Sequence, residues 1–123
     1  MKNSKVLLIV ILAVSIITGG VLTSTAHARD LRIDNYSGMA VTGIYVSQDG
    51  RRSWGYNNLG GKSLPHGGTW TIRQIPVSSS SRYWDVRIDF SDGTYYRWWG
   101  KDLSSYSRMS VYKRGSDMYA DWN

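Results

Sequence analysis

The chain contains no cysteine and no glutamate, and its 123 residues include only two prolines and two histidines, His27 and His66. Without cysteine there is no disulfide, and two separated histidines cannot supply the ligands of an ordinary zinc site. The same shortage removes the side chains that most often act as general acid, general base or nucleophile. Glutamate is a strong helix former, so its absence disfavours helices. The composition therefore predicts a protein that is not an enzyme and holds no cofactor or metal.

The nine aspartates and His66 do not form a recognisable catalytic pair. Asp85 and Asp89 fall on one face of a predicted strand, where four residue steps separate them by about 13 Å. An inverting glycosidase holds its two carboxyl groups only about 6.5–9.5 Å apart, and Arg87 lies between these two. A surface charge ladder is the better interpretation. His66 lies in a turn flanked by proline and glycine, so we expect an exposed loop histidine.

The N-terminal segment has the three parts of a signal peptide. Lys2 and Lys5 precede an apolar run over residues 6–17, and Ala26–Ala28 has the small-x-small pattern of a cleavage site. The run of about 12 residues is shorter than the roughly 20 that span a bilayer. Extension of the run to Leu22 leaves an uncleaved anchor as the alternative, and a lipoprotein is excluded because there is no cysteine to acylate. We predict a signal peptide over 1–28, a single domain over 29–123, and a secreted or periplasmic protein.

Cleavage would change the charge and leave every aromatic residue in place. Loss of Lys2 and Lys5 leaves thirteen basic and nine acidic side chains, a net charge of +4, against +6 for the whole chain. This charge favours anionic partners such as envelope polymers, lipids or nucleic acid. The basic residues are dispersed, however, so nucleic acid is the least favoured of these, and a solvated, mildly basic surface is the preferred alternative. The chain has six tryptophans, nine tyrosines and one phenylalanine. A small domain without disulfides must bury many of them, since each covers about 150–250 Å².

The part of the chain after residue 28 predicts about seven strands, which indicates an all-β domain: a small antiparallel β-sandwich or barrel without disulfides. The alternation of residues 39–47 slips at Gly43, which predicts a β-bulge there. Pro76 ends the third strand or places it at a sheet edge, and Ser78–Ser81 reads as a flexible link. The predicted strands are 31–34, 39–47, a strand beginning at Trp70, 83–90, 94–100, 108–113 and 118–122.

Residues 83–90 show the clearest strand signal, with apolar side chains at the even positions and mostly polar ones at the odd positions. A three-residue turn with Gly93 in the left-handed conformation directs Tyr96 and Trp98 of the next strand inward. A two-residue turn would bury Arg97 instead, so we favour the longer turn. On this register the outward residues of the returning strand include Tyr95, Arg97 and Trp99.

Two groups of alternating aromatic and basic residues are the candidate ligand-binding sites. One lies in a long glycine-rich loop over 48–67, and the other lies on the outward face of the strand 94–100. Aromatic rings stack on sugars or bases, and Arg and Lys bind anions. The alternative for the loop is that Trp54 folds back to cover an open end of the sandwich. The candidates are Arg51, Arg52, Trp54 and Tyr56 in the loop, and Tyr95, Arg97 and Trp99 on the strand.

Several short segments between residues 40 and 103 resemble a widespread family of small exported bacterial domains. The segments are Ile44–Ser47, Trp54–Leu59, Leu64, Gly67, Trp84–Arg87 and Asp92–Gly93. The resemblance implies a small all-β domain without an assigned activity. Some members carry an argininosuccinate lyase label, but that enzyme is a large helical oligomer and nothing in this chain matches it. Members often have cysteines where this chain has Ser81 and Ser104, so the family's disulfide is absent.

Two classes of function follow from these observations. The first is an exported binding module for anionic or carbohydrate envelope polymers. The second is a secreted membrane-active or toxin-like protein, which ranks lower because no amphipathic helix is visible. An enzyme that uses Asp85, Asp89 or His66 ranks third. Apart from the signal peptide, no segment predicts contact with a membrane.

Overall fold

Seven β-strands in two sheets make up the structure of the protein, a computed structural model that describes residues 27–51 and 53–123. The strands are β1 (His27–Tyr36), β2 (Val41–Gln48), β3 (Thr69–Val77), β4 (Tyr83–Phe90), β5 (Tyr95–Asp102), β6 (Arg108–Arg114) and β7 (Asp117–Trp122). A four-stranded sheet has the order β3-β1-β6-β7, and a three-stranded sheet has the order β2-β4-β5. The predicted all-β fold of seven strands is confirmed, and the two separate sheets make it sandwich-like. The predicted signal peptide lies outside the described residues, except for positions 27 and 28 at the start of β1.

One strand pair departs from the antiparallel arrangement that the sequence predicted. β1 and β6 are parallel neighbours, with Arg32 opposite Arg108 and Tyr36 opposite Tyr112, while the other four pairs are antiparallel. Parallel neighbours cannot be joined by a hairpin and need a long crossover. Here the crossover contains β2, β3, β4 and β5, so the chain builds the whole second sheet before it returns to pair with β1.

The core lies between the two inner faces and is mainly aliphatic. Leu31 and Ile33 of β1 meet side chains such as Ile44, Val86 and Ile88 of the other sheet, all nearly inaccessible to water. Most of the aromatic residues expected in the core pack around its margin and are only partly buried. Trp84 and Phe90 are the buried aromatic side chains, and the partly buried ones include Trp70, Tyr96, Trp98 and Trp122.

The predicted β4–β5 hairpin is confirmed in detail. β4 has the predicted bounds, and Gly93 has the left-handed φ of 88° that the three-residue turn requires. Phe90 N–H donates to the carbonyl of Thr94 at 2.9 Å. Ile88 therefore lies opposite Tyr96 and, two pairs further on, Val86 lies opposite Trp98. The bulge predicted near Gly43 is also present, as a register shift between Val41 and Gly43.

The long loop between β2 and β3 is an ordered part of the fold. Its Leu59 and Leu64 are buried in the core, and Leu64 forms a backbone bridge with Val41. Asn58 N–H donates to the carbonyl of Ile44 at 2.8 Å, so the loop covers part of the free edge of β2. Ser78–Ser81, expected as a flexible link, instead forms a tight turn closed by a backbone bridge.

The edge position predicted for Pro76 is confirmed. β3 is the outer strand of the four-stranded sheet, where a residue without an N–H costs no ladder bond on its solvent side. A second irregularity lies beside it, because Gln74 has a φ of 59° and donates its N–H to the Asp30 carboxylate at 3.0 Å. Proline and this irregularity together make β3 a poor template for another strand.

A buried carboxylate ties three strands of the larger sheet together. Asp34 of β1 is 1% exposed and accepts hydrogen bonds from Arg32, Thr69 and Arg108. Burial raises the pKa of Asp34, but hydrogen bonds from Arg108, Thr69 and Arg32 outweigh it and leave the pKa below its usual value. The ionised form is thus the form that the fold stabilises.

We expect Asp34→Asn to lower the free energy of unfolding by about 2 kcal/mol at pH 7, because hydrogen bonds to a charged group are replaced by weaker ones. Because the pKa of Asp34 is lower in the folded protein, its carboxylate stabilises the fold at any pH above the unfolded-state pKa of about 3.9. This stabilisation is lost as the pH falls through the lower pKa of the folded state. The free energies of unfolding of the two proteins, measured in urea, should therefore converge below about pH 4. A difference that stays constant between pH 7 and pH 3 would contradict the assigned role of the carboxylate.

Candidate functional site

The candidate ligand-binding residues of β5 lie on the outer face of the three-stranded sheet. Successive side chains of a strand point to opposite faces, so the residues that alternate with the core side chains point outward. On β5 these are Tyr95, Arg97 and Trp99, and Tyr95 and Trp99 are about half exposed. Arg87 of β4 lies directly opposite Arg97, and Tyr45 of β2 lies directly opposite Arg87. The predicted outward orientation of the β5 candidates is confirmed.

Cation–π and ring contacts join these side chains into one continuous surface. The guanidinium carbon of Arg87 lies 5.2 Å from the ring centre of Tyr45 and 4.4 Å from that of Tyr95. Arg97 lies 5.4 Å from the Tyr95 ring and 5.2 Å from the Trp99 ring. The Trp99 ring in turn lies 5.8 Å from that of Trp54 in the loop. We call this surface the outer row; its members are Tyr45, Arg87, Tyr95, Arg97, Trp99 and Trp54.

The two arginines of the outer row differ in their charge balance. Arg87 donates two hydrogen bonds to the Asp89 carboxylate, at 2.8 and 3.3 Å, and these bonds raise the pKa of Arg87. Arg97 is exposed and forms no ion pair or hydrogen bond with any of the other described residues. Arg97 is therefore the cation of the outer row that has no carboxylate beside it to compete with an anionic ligand.

The expected position of Asp85 on this face was wrong. Asp85 is 3% exposed, and its Oδ1 atom accepts the N–H of Gly100 at 2.8 Å. A register shift between Trp84 and Val86 places it against the backbone of β5. The predicted charge ladder is thereby reduced to Arg87 and Asp89, while Asp85 fixes the backbone next to Trp99.

The loop candidates line two neighbouring cavities at the open side of the sandwich. The first has a volume of about 310 Å³ and is lined by Arg51 and Trp54, among others. The second has a volume of about 180 Å³ and is lined by Tyr56. Both cavities share a floor made by Val46, Pro76 and Trp84. Arg52 is outside the described residues.

The structure thus brings together some of the predicted site residues and separates others. Trp54 joins the loop group to the strand group through its contact with Trp99. Tyr56 is 78% exposed and lines the second cavity, away from the outer row. The alternative role for Trp54, covering an open part of the sandwich, also applies, because its half-buried ring forms a wall of the first cavity.

Tyr45 and Arg87 belong to the outer row but were not among the predicted site residues. The signal for Tyr45 was present in the sequence, because the bulge predicted at Gly43 shifts the alternation and directs Tyr45 outward. Arg87 was assigned to a charge ladder, and its aromatic neighbours become visible only when the three strands are paired.

A second aromatic group, on the outer face of the larger sheet, was also missed. The rings of Tyr36, Tyr112 and Tyr119 stack across β1, β6 and β7, with centre distances of 5.4 and 5.3 Å. Arg114 lies 4.7 Å from the Tyr119 ring at one end, and His66 lies edge-on to Tyr36 at the other. This stack depends on the parallel pairing of β1 with β6, which no local sequence signal indicates.

His66 is exposed, as the sequence predicted, and its Nδ1 atom accepts the N–H of Gly38 at 3.0 Å. Within residues 27–51 and 53–123, no three histidine or aspartate side chains lie close enough to hold a metal ion. The same residues include no helix long and apolar enough to cross a bilayer.

Comparisons with known proteins bear on the fold alone. No protein-family model and no curated protein matches the chain. Among solved structures, a protein from Eubacterium rectale determined by NMR is similar, with a TM-score of 0.51 and 15% sequence identity. The similarity covers 77% of this chain and 87% of that one. At this level of identity the similarity supports the all-β architecture and carries no information on activity.

Exposure separates the candidate site residue Trp99 from Trp84, which belongs to the core. Trp84 is 8% exposed and Trp99 is 57% exposed. We expect Trp84→Ala to cost about 3–5 kcal/mol and to unfold much of the protein. Trp99→Ala should cost less than about 1.5 kcal/mol, because it removes mainly a ring contact with Trp54.

Circular dichroism during urea unfolding measures both losses. Tyr56→Ala is the control, because a side chain this exposed should change stability by no more than about 0.5 kcal/mol. If Trp99→Ala unfolds the protein as Trp84→Ala does, Trp99 has a structural role and leaves the candidate site.

Proposed function

We propose that the protein is an exported binding module for acidic polysaccharides of the cell envelope, and that the outer row is its binding surface. One observation carries the proposal. Aromatic rings and guanidinium groups alternate along the outer row from Tyr45 to Trp99, each makes contact with the next, and the Trp54 ring extends the row beyond Trp99. Rings supply flat apolar faces for sugars, and guanidinium groups bind carboxylate or phosphate through two parallel hydrogen bonds.

The extended form of the outer row favours a polymer over a compact ligand. The row runs across all three strands of the sheet and continues onto the loop, so its binding groups are spread along a line. A chain of repeated sugars can present a ring and an anion at each repeat. Several weak contacts of this kind add up, because each further contact is made at a high effective concentration.

The geometry of the outer row also suits rapid and reversible binding. The rings beside Arg87 and Arg97 hold the guanidinium groups by cation–π contacts, worth about 0.5–1 kcal/mol each at an exposed site. Ordering these side chains before the ligand arrives reduces the entropy lost on binding. Exposed charges are screened by salt, so the affinity should fall as the ionic strength rises. Export, which the proposal includes, rests on the N-terminal sequence pattern.

Affinity electrophoresis tests the proposal, with protein purified after export from cells that express the full chain. The gels contain either polygalacturonate or neutral dextran. We expect retention in polygalacturonate alone, and Arg97→Gln should weaken it about tenfold, since one charge-assisted hydrogen-bonding group is lost.

Arg114→Gln is the matched control, because it removes the same charge from an exposed position on the opposite sheet. It should weaken retention by less than about twofold, as expected for loss of a distant screened charge. Equal losses for the two variants would show that binding follows net charge, and the outer row would then not be a site. Dye release from anionic vesicles at the same protein concentration, without retention by the polymer, would favour the membrane-active alternative.

A further inference from the structure

We infer that the two cavities beside the loop form a subsite for a single acidic sugar residue of the same polysaccharide. We call the two cavities together the loop cleft. This inference rests on the proposed function, but it concerns different residues and has its own test. It starts from the way the loop covers the edge of β2.

The loop contacts the edge of β2 at two places and rises away from it between them. On one side, Ser47 donates its hydroxyl to the carbonyl of Ser53 at 2.9 Å. On the other side, the N–H of Ile44 donates to the Asn57 side chain and its carbonyl accepts from Asn58. The edge between these contacts belongs to Val46, which lines both cavities.

The backbone of Val46 faces the loop cleft. Along a strand, backbone groups at every second residue point to the same side. Ile44 directs its N–H and C=O to the loop, and the carbonyl of Gln48 accepts from Arg51 on that same side. Val46 is two residues from each of them, so its N–H and C=O also point away from β4. Neither group has a hydrogen-bond partner among the described residues.

The side chains around Val46 have the chemistry that an acidic sugar requires. Trp54 forms an aromatic wall of the first cavity, and Arg51 is part of the same lining. Tyr56 and Arg73 provide a ring and a cation in the second cavity. The shared floor is apolar. A pyranose ring can stack on Trp54, place its carboxylate against Arg51, and exchange hydrogen bonds between its hydroxyls and the Val46 backbone.

The volume of the first cavity suits a single sugar residue. The first cavity, at about 310 Å³, lies at the lower end of the roughly 300–1,000 Å³ that ligand pockets span. The cleft is also continuous with the outer row, because the Trp54 ring contacts both the first cavity and Trp99. One residue of the polymer can therefore occupy the cleft while its neighbours lie along the outer row.

The experiment is a titration of the ¹⁵N-labelled exported protein with galacturonate monomer, followed by amide chemical shifts. We expect the Val46 amide to shift and saturate, because its free N–H gains an acceptor. Arg51→Gln should weaken the monomer affinity about tenfold, as for any lost charge-assisted contact. Lys62→Gln is the matched control, since it removes an exposed charge from the same loop outside both cavities, and it should leave the affinity within about twofold.

A second variant tests the backbone group directly. Val46→Pro removes an N–H that makes no ladder bond, and proline is tolerated at such edge positions. It should abolish the monomer-induced shifts of the loop amides while the far-ultraviolet circular dichroism keeps its β-sheet form. If this variant does not fold, the Val46 shift in the unmodified protein decides the matter.

The outcomes separate this inference from the proposed function. If only the amides of Tyr95, Arg97 and Trp99 shift and Val46 does not, the sugar subsite in the loop cleft is contradicted and binding by the outer row is supported. The Val46 amide could instead show a saturating shift that Arg51→Gln weakens, while polygalacturonate gels do not retain the protein. That result would support the sugar subsite and contradict binding by the outer row. Equal losses of monomer affinity in Arg51→Gln and Lys62→Gln would contradict the sugar subsite.

Discussion

The hydrogen bonds between the loop and the free edge of β2 are the interaction on which the rest of the structure depends. β2 has a partner strand on one side only, so the loop must satisfy its outward N–H and C=O groups wherever solvent or a ligand does not. Asn57 and Asn58 do this at Ile44, and the same segment places Leu59 in the core. The chain before these asparagines must then bend away from the edge and return to it. That bend carries Trp54 to Trp99 and leaves the loop cleft beneath it.

The aromatic residues surround an aliphatic core rather than fill it. Aliphatic side chains fill the space between the sheets, and the larger rings surround this centre with one face buried and one face near water. Rings in such positions stabilise the sandwich and also remain available to a ligand. On the proposed function, stability and recognition share side chains, as at Trp54, which forms both a wall of the cleft and one end of the outer row.

Sequence reasoning was reliable where the signal was local. The alternation of β4, the turn at Gly93 and the bulge at Gly43 each follow from a few consecutive residues, and each is present. The outward position of Tyr95, Arg97 and Trp99 follows from that turn, so part of the candidate site could be predicted as well.

Errors arose where distant residues decide the conformation. Asp85 was placed outside by simple alternation, but an unpredicted bulge turns it toward the backbone of Gly100. Arg51, Trp54 and Tyr56 were read as one loop group, yet Tyr56 lies in a different cavity from the other two. The parallel pairing of β1 with β6, and with it the tyrosine stack, joins segments about seventy-five residues apart in sequence. Contacts of that range leave no periodic pattern in either segment.

The same pairing has a consequence for the order of folding. β1 is made first, but in the finished sheet it lies between β3 and β6, and β6 is among the last strands to be made. Contacts between distant segments slow folding, because the intervening chain must be ordered before they form. The smaller sheet needs only residues 41–102 and can form before β6 is available. The larger sheet, with its buried Asp34, cannot be completed until β6 and β7 have been released. A chain that emerges from its N-terminus should therefore remain partly unfolded, with one side of β1 unpaired, until β6 becomes available.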